Sequence, residues 1–441
     1  MTANLQTRVA GRAVAAWVLY DWAYSAFTTV VSTFVFPTYF TQAVAADPVL
    51  GASLWAGTQA AAGVLIALLS VPLGAIADRS GRRRRMLAAA TLLMGLNTLA
   101  LWTVRPRPGD AARALALVLV ATVAFEVATV FYNAMLPGLV SRRRLGRLSM
   151  LAWGAGYAGG LSALLLCLFV LVLPETPPFG LSREAAEPVR ATAVLAGCWL
   201  FAFAWPAMVF VPETGVPVEW RAALRKGVGE LGDVLREAVA LPPLRRFLLA
   251  RMFYMDGLTT LFAFGGIYAA GQFGLDARGV LVFGIGLNVA AGLGALVFAA
   301  IEDRIGAKAV VMCAVLAMTG LGVALLLTHD RALFWGLGLA LGLFVGPAQA
   351  ASRSMMAHMA PAGQRTAWFG LFALSGRVTG FLGPAALSLA TAAFDSQRAG
   401  MAVIVVLFAV GAATLARVPS PRPDARPAGE TDDIGGPDQL R

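Results

Sequence analysis

Apolar runs of about twenty residues or more recur along this chain roughly every thirty residues. A bilayer core takes about 20 residues of α-helix to cross. Within it a backbone N–H or C=O has no water to bond, so a spanning run must satisfy its own backbone as a helix. The runs read as twelve spans, at 12–42, 52–78, 84–104, 111–138, 147–173, 190–211, 244–271, 277–301, 307–328, 331–353, 364–393 and 397–417. Composition agrees with this. Of 441 residues, 59% are hydrophobic and 13% charged, against about a quarter charged in a soluble domain. The expected fold class is an all-α membrane protein with twelve transmembrane helices.

The net charge of +11 raises the possibility of a nucleic-acid partner. The placement of the basic residues excludes it. One side of the twelve-span topology holds 25 of the 35 lysines and arginines, including Arg79, Arg82 to Arg85, Arg142 to Arg144 and Arg147. The other side holds eight, and Arg251 and Arg377 fall inside spans. This is the positive-inside asymmetry, which puts both termini in the cytoplasm. Arginine stands almost everywhere in place of lysine, and alanine and glycine are abundant, as in GC-rich bacterial genomes, so the expected location is a bacterial inner membrane. Cys167, Cys198 and Cys313 all fall in apolar spans, with no disulfide framework and no metal-ligand spacing. No cofactor and no metal are expected. The apolar run before "AVA" at 43–45 is too long for a cleavable signal.

The longest polar interruption, 212–246, divides the chain into two halves. The expected units are a six-helix bundle at 1–211, a cytoplasmic loop at 212–243 with an amphipathic helix in its middle, a second bundle at 244–417, and a disordered tail at 418–441. The halves repeat. "ADRSGRRRR" follows span two and "EDRIGAK" follows span eight, and both contain Asp-Arg-x-Gly: Asp78, Arg79, Gly81 and Asp303, Arg304, Gly306. Span one carries Asp21 in "LYDW" and span seven carries Asp256 in "FYMDG". Two six-helix halves in parallel repeat describe a known transporter architecture. "GAIADRSGRRRR", which opens with Gly74, resembles the loop motif of the major facilitator superfamily. "YDWAYSAF…FVFPTYF", "FYNAMLPGLV", "YMDGLTTLFAFGGIYAAGQFG" and "ALSGRVTGFLGP…SQRAGMAV" resemble its vacuole-effluxer-like branch. The resemblance implies the two-bundle fold, a transport activity, and export of amino acids, as its fungal members are regarded as doing.

Four ionisable side chains fall at similar depths in four spans. Asp21 lies about nine residues into span one, or roughly 14 Å at 1.5 Å per residue. Glu126, Asp256 and Arg377 lie about fifteen, twelve and thirteen residues into spans four, seven and eleven. A charge at the bilayer centre costs at least about 2.5–3.5 kcal/mol, so four of them cost about 10 kcal/mol unless paired, hydrated or put to use. In the superfamily architecture helices one, four, seven and ten line the central cavity, with eleven close by. The functional reading is a solvated cavity whose carboxylates carry protons or bind a cationic group. The structural reading is a set of interhelical ion pairs, such as Arg377 with Glu126 or Asp21. Asp21 has a further structural reading, as acceptor of a hydrogen bond from a tyrosine or tryptophan on a neighbouring helix. Asn133 and Arg353 join the candidates as polar residues in or at the ends of spans.

Asp78 sits at the C-terminal end of its helix, where the helix dipole disfavours an anion. It needs compensation, from the basic run beginning at Arg82 or from the start of span eleven near Gln364. By the repeat, Asp303 is expected near Gly146 to Ser149. "GAGYAG" at 154–159 matches a dinucleotide-binding pattern but lies inside a span with no strand before it. The spacings Gly156/Gly160, Gly338/Gly342/Gly346 and Gly376/Gly380 read instead as close helix packing. Pro37, Pro137 and Pro384 are expected to bend or end their helices.

The expected function is secondary transport, proton-coupled, with a small amphoteric solute such as an amino acid exported by a monomer. Cavity acids suit an ammonium group and Arg377 suits a carboxylate. Efflux of drugs or lipophilic cations is the alternative transport reading, and a non-transporting scaffold or sensor is an alternative of another class. No nucleophile–base pairing or Walker motif points to an enzyme.

Overall fold

The computed structural model describes residues 2–213 and 231–420. The first crossing is α1 (Thr2–Ala26), which runs on through π-helical turns at Phe27–Phe34 and Phe40–Val44 around a short helix, Val35–Tyr39. The next five are α2 (Pro48–Ser80), α3 (Arg83–Ala100), α4 (Ala111–Met135), α5 (Leu145–Leu166) and α6 (Glu187–Phe210). The second half contributes α7 (Pro242–Phe273), α8 (Ala277–Ile305), α9 (Ala307–Leu327) and α10 (Arg331–Met359). The eleventh crossing is two helices, α11a (Arg365–Ser375) and α11b (Leu382–Phe394), and α12 (Gln397–Ala416) follows. Among the described residues ten helices are individually long and apolar enough to cross a membrane. The segmented first and eleventh crossings bring the total to twelve. Of the polar loop between the halves, a helix at Leu231–Ala240 is described. The rest of the expected amphipathic helix and residues 421–441 lie outside the described residues.

Caps explain where the helices begin and end. On one face α2, α8, α10 and α12 start on side-chain acceptors. Asp47 takes Leu50 N at 2.9 Å, Asp276 takes Gly279 N at 2.8 Å, Asp330 takes Leu333 N at 2.7 Å and Ser396 takes Ala399 N at 3.4 Å. Each satisfies a helix-start N–H that has no intrahelical partner. On the opposite, arginine-rich face the two Asp-Arg-x-Gly motifs end α2 and α8. Their glycines take positive φ, 62° at Gly81 and 86° at Gly306, which side chains rarely adopt. Glycine is therefore what lets the chain turn from α2 into α3 and from α8 into α9.

The helices form two bundles. In the first, α1 lies against α5 and α6, and α4 against α2 and α3. In the second, α7 lies against α12, and α10 against α8 and α9. Across the seam α2 packs on α11a and α8 packs on α5. These two contacts are equivalents in the repeat, as a pseudo-two-fold relation requires. Contact is close. An added Cβ at Gly74 would lie 2.6 Å from Thr366 O, and one at Gly346 would lie 2.2 Å from Ala291 O. Gly156 and Gly160 likewise make room for α1, and Gly338 and Gly342 for α8, as small residues do in membrane helices.

Gly376 and Gly380 depart from that expectation, as does the single span expected at 364–393. Residues 376–381 are not helical. Pro384 has no N–H to bond the carbonyl four residues back, at Gly380. With two glycines in the same turn, a continuous helix there is weak. Successive short turns replace it, including Gly380 N to Arg377 O at 3.2 Å and Leu382 N to Thr379 O at 2.8 Å. The restart at α11b is held by Asp256, whose Oδ2 accepts Gly383 N–H at 2.9 Å.

That joint is tight. A methyl at Gly383 would lie 2.2 Å from Thr260 Oγ1, and overpacking of this kind costs about 1–3 kcal/mol. Gly383→Ala is expected to lower the apparent melting temperature of the purified protein. Adding Thr260→Ala should recover much of the loss. No recovery in the double variant would show that the contact is not what constrains Gly383.

Candidate functional site

A cavity of about 670 Å³ lies between the bundles. Asp21, Glu126, Arg251 and Arg377 are its charged wall residues. Phe34, Phe262, Phe283 and Phe334 line it farther from the arginine-rich face. The cavity thus extends toward the face opposite the arginine-rich loops.

Below it the two bundles are bolted together. Asp21 is 1% exposed and Arg353 2% exposed. Arg353 Nη1 lies 3.0 Å from Asp21 Oδ2, which joins α10 of one bundle to α1 of the other. Arg353 also donates from Nε to Ser149 Oγ at 2.9 Å and from Nη2 to Ser149 O at 2.6 Å, both on α5. Its Nη1 is 3.4 Å from Asn133 Oδ1 on α4. Ser149 Oγ in turn donates to Ala350 O at 2.7 Å. Asp21 accepts hydrogen bonds from Tyr132 at 2.8 Å and from Tyr24. Trp17 and Tyr132 stack with centroids 4.4 Å apart and exchange bonds with each other's backbone carbonyls. The tyrosine acceptor role expected for Asp21 and an ion pair are thus both present, but the cation is Arg353 rather than Arg377.

Arg377 sits in the break of the eleventh crossing and donates to Glu126 of α4. This second inter-bundle pair faces the cavity, with the Arg377 side chain 42% exposed. Asp256 is not part of the cavity wall. Its Oδ2 is taken by the α11b N-terminus, where a helix favours an anion, while Oδ1 is buried without a partner. Asp21, Glu126, Asn133 and Arg377 thus reach the cavity, Arg353 lies at its floor, and Asp256 holds the broken helix instead.

At the arginine-rich face Asp78 meets the start of α11a. It accepts Thr366 N at 3.0 Å, Thr366 Oγ1 at 2.7 Å and Ala367 N at 2.9 Å, and Arg83 Nη2 lies at 2.5 Å. An anion unfavourable at the end of its own helix is placed at the favourable end of another. Gly74 sits in the same crossing. Arg82 forms the N-cap position of α3, while Arg79 and Arg304 are exposed. Asp303 is the weaker counterpart, exposed and accepting Arg147 N at 3.1 Å. Its neighbour Glu302 does more. It is buried against Gly146 of α5, accepts from Ser354 of α10, and leaves Oε2 without a partner. Arg142 and His358 exchange backbone-directed bonds across the same seam, at 2.7 and 3.0 Å.

Sequence reasoning missed Glu302 and made no use of Arg251. The signal for Arg251 was available, since an arginine inside a span is a functional candidate by default. Glu302 had no signal beyond adjacency to the repeated motif.

Removing one partner of a buried ion pair strands the other charge and costs about 3–5 kcal/mol, whereas removing both can be nearly neutral. Asp21→Asn and Arg353→Gln are each expected to lower the apparent melting temperature more than the double variant does. A double variant whose loss equals the sum of the two single losses would show that the residues do not act as a pair.

Comparisons with known proteins agree with this architecture. A family model described as vacuole effluxer Atg22-like matches residues 51–147 and 142–425. The MFS-type transporter YxiO of Bacillus subtilis is 24% identical over 91% of this chain and 94% of its own length. Autophagy-related protein 22 of Cryptococcus neoformans is 25% identical over 62% of this chain, a match that spans 52% of the fungal protein. Among solved structures the major facilitator transporter FucP, in its outward conformation, superposes with a TM-score of 0.72 at 14% identity, covering 93% of this chain and 99% of FucP. With twelve crossings in two bundles around a central cavity, the chain belongs to the vacuole effluxer Atg22-like family and is a transporter of the major facilitator superfamily, not an enzyme.

Proposed function

We propose that this transporter is a proton-coupled exporter of a small amphoteric solute, such as an amino acid, in the cytoplasmic membrane of a bacterium. The observation that carries the proposal is the Glu126–Arg377 pair, one charge from each bundle, on the wall of the cavity. A solute with an ammonium and a carboxylate can replace each partner for the other. The exchange keeps every charge compensated, so it avoids the cost of stranding a buried ion. A proton on Glu126 has the same effect on Arg377, freeing it for a carboxylate. Solute and proton thereby act on one inter-bundle contact, which is what coupling to a rocking motion needs.

The arginine-rich face is the cytoplasmic one by the positive-inside rule. The conformation described is then sealed toward the cytoplasm. Loading an exported solute requires that seal to part, and the Asp78 contact is sized for it. A carboxylate at a helix N-terminus gains about 0.3–1 kcal/mol, or up to about 2 when partly buried. About 1.4 kcal/mol shifts a two-state population tenfold. Export of lipophilic cations is the second reading, supported by the aromatic wall of Phe34, Phe262, Phe283 and Phe334.

In proteoliposomes, labelled leucine should exchange against internal unlabelled leucine, and a pH gradient should stimulate net flux. Glu126→Gln is expected to keep the protein folded and to abolish the stimulation. Stimulation that persists in this variant would remove Glu126 from the coupling. Leucine exchange absent while tetraphenylphosphonium flux is present would favour the cation reading. Asp78→Asn should raise labelling of a single cysteine on the cytoplasmic side of the cavity, in a background lacking the three native cysteines, by about tenfold. Equal labelling would contradict the role of the Asp78 contact in the seal.

A further inference from the structure

Three guanidiniums meet at the cavity and its floor, Arg251, Arg353 and Arg377, against two carboxylates, Asp21 and Glu126. Asp21 answers Arg353 and Glu126 answers Arg377. Arg251 has no carboxylate within ion-pair distance among the described residues. The remaining acid of α7, Asp256, is turned away onto Gly383 N and is not in the cavity wall.

Arg251 is 8% exposed, yet it lines the cavity. It reaches from α7 to the end of α11a, where Nη1 donates to Phe372 O at 2.6 Å and to Ser375 Oγ at 2.9 Å. The guanidinium lies over the Phe372 ring, 3.6 Å from its centroid. Nε is buried with no partner. These neutral groups fix the orientation of the guanidinium but do not neutralise it. Gly376 leaves the space it occupies, since an added Cβ there would come within 2.7 Å of Nη1. Arg377 is the next residue, so the unanswered cation lies beside the break that carries the second arginine. A membrane-buried cation held in place with no carboxylate in ion-pair contact, and sharing Glu126 with Arg377 only at longer range, is costly unless a further anion arrives.

We infer that Arg251 binds the carboxylate of the transported solute together with the Arg377 that Glu126 releases, and that the cavity selects for a carboxylate rather than for a cationic group alone. A carboxylate is the acceptor that a planar guanidinium holds best, through two parallel N–H···O bonds. Glu126 is then left for the ammonium or the proton. The inference rests on the cavity being the transport site, and it separates the two transport readings, because a lipophilic cation would meet an excess of positive charge.

The test uses the purified full chain and three probes of matched shape: leucine, 4-methylpentanoate and 3-methylbutylamine. Binding is measured by calorimetry, with the melting temperature of each protein as a check on folding. Leucine and 4-methylpentanoate should bind the unsubstituted protein and the amine should not, a comparison that needs no variant. Arg251→Gln should weaken both carboxylate probes by about tenfold or more, as expected for loss of a charge-assisted hydrogen bond. Arg251→Lys should restore part of the affinity. If the amine binds as well as leucine, or if Arg251→Gln leaves leucine affinity within about twofold, Arg251 is not the carboxylate site and the transport reading survives without it. If none of the three probes binds the unsubstituted protein, the amphoteric-solute reading falls and this inference falls with it.

Discussion

Among the contacts that join the two bundles toward the arginine-rich face, those of Arg353 are the most deeply buried. Arg353 belongs to the second bundle, yet its guanidinium is buried among groups of the first, on α1, α4 and α5. Trp17, Tyr132 and Trp153 surround it, with ring centroids 5.0, 5.7 and 5.8 Å away. Burying a cation this way is favourable only while Asp21 stands opposite and the carbonyl of Ser149 takes a further N–H. If the bundles separate, both charges lose their partners unless water enters. The cavity must therefore flood from the arginine-rich side as it opens.

The two seams beyond Arg353 are built on a repeated motif but not equally. The α2–α11a crossing has Asp78 satisfied by three donors from the facing helix start and by Arg83, over a bare Gly74. The α8–α5 crossing has an exposed Asp303 with one backbone donor, and beside it a buried Glu302 with an unpartnered oxygen. The equivalent of Glu302 in the first half is Ala77, which is fully buried. Repetition fixed where the seams lie. The two halves thus differ, with one strongly compensated anion at the first seam and, at the second, an exposed aspartate beside a buried glutamate with a free oxygen.

Much of the fold was legible in the sequence because a bilayer permits few solutions. Apolar run length gave the crossings, arginine placement gave the faces, and Asp-Arg-x-Gly gave the repeat. The break at 376–381 was not legible as such. Pro384 marked a weak point, but a proline can kink a helix as readily as part it, and the outcome depends on Asp256 being there to receive the restarted helix. The same dependence misled the reading of Asp256 itself. Depth along a helix follows from counting residues, whereas direction around the helix depends on its partners. Asp21, Glu126 and Arg377 turn inward, while Asp256 turns to a helix N-terminus that no count could place. The pairing of Asp21 with Arg353 was hidden for a related reason, since Arg353 read as the polar end of a span.

If Arg353 is the keystone, loss of its counter-charge must loosen the whole arginine-rich face, including points far from the pair. Spin labels at Arg85, near the start of α3, and at Ala416, at the end of α12, are exposed and lie one in each bundle. With Cys167, Cys198 and Cys313 replaced, pulsed electron–electron distance measurement reports how far apart the two bundles stand there. The unsubstituted pair should show one dominant distance, and Asp21→Asn should add a longer population at its expense. Identical distance distributions in the two proteins, with both still folded, would contradict the keystone role of Arg353.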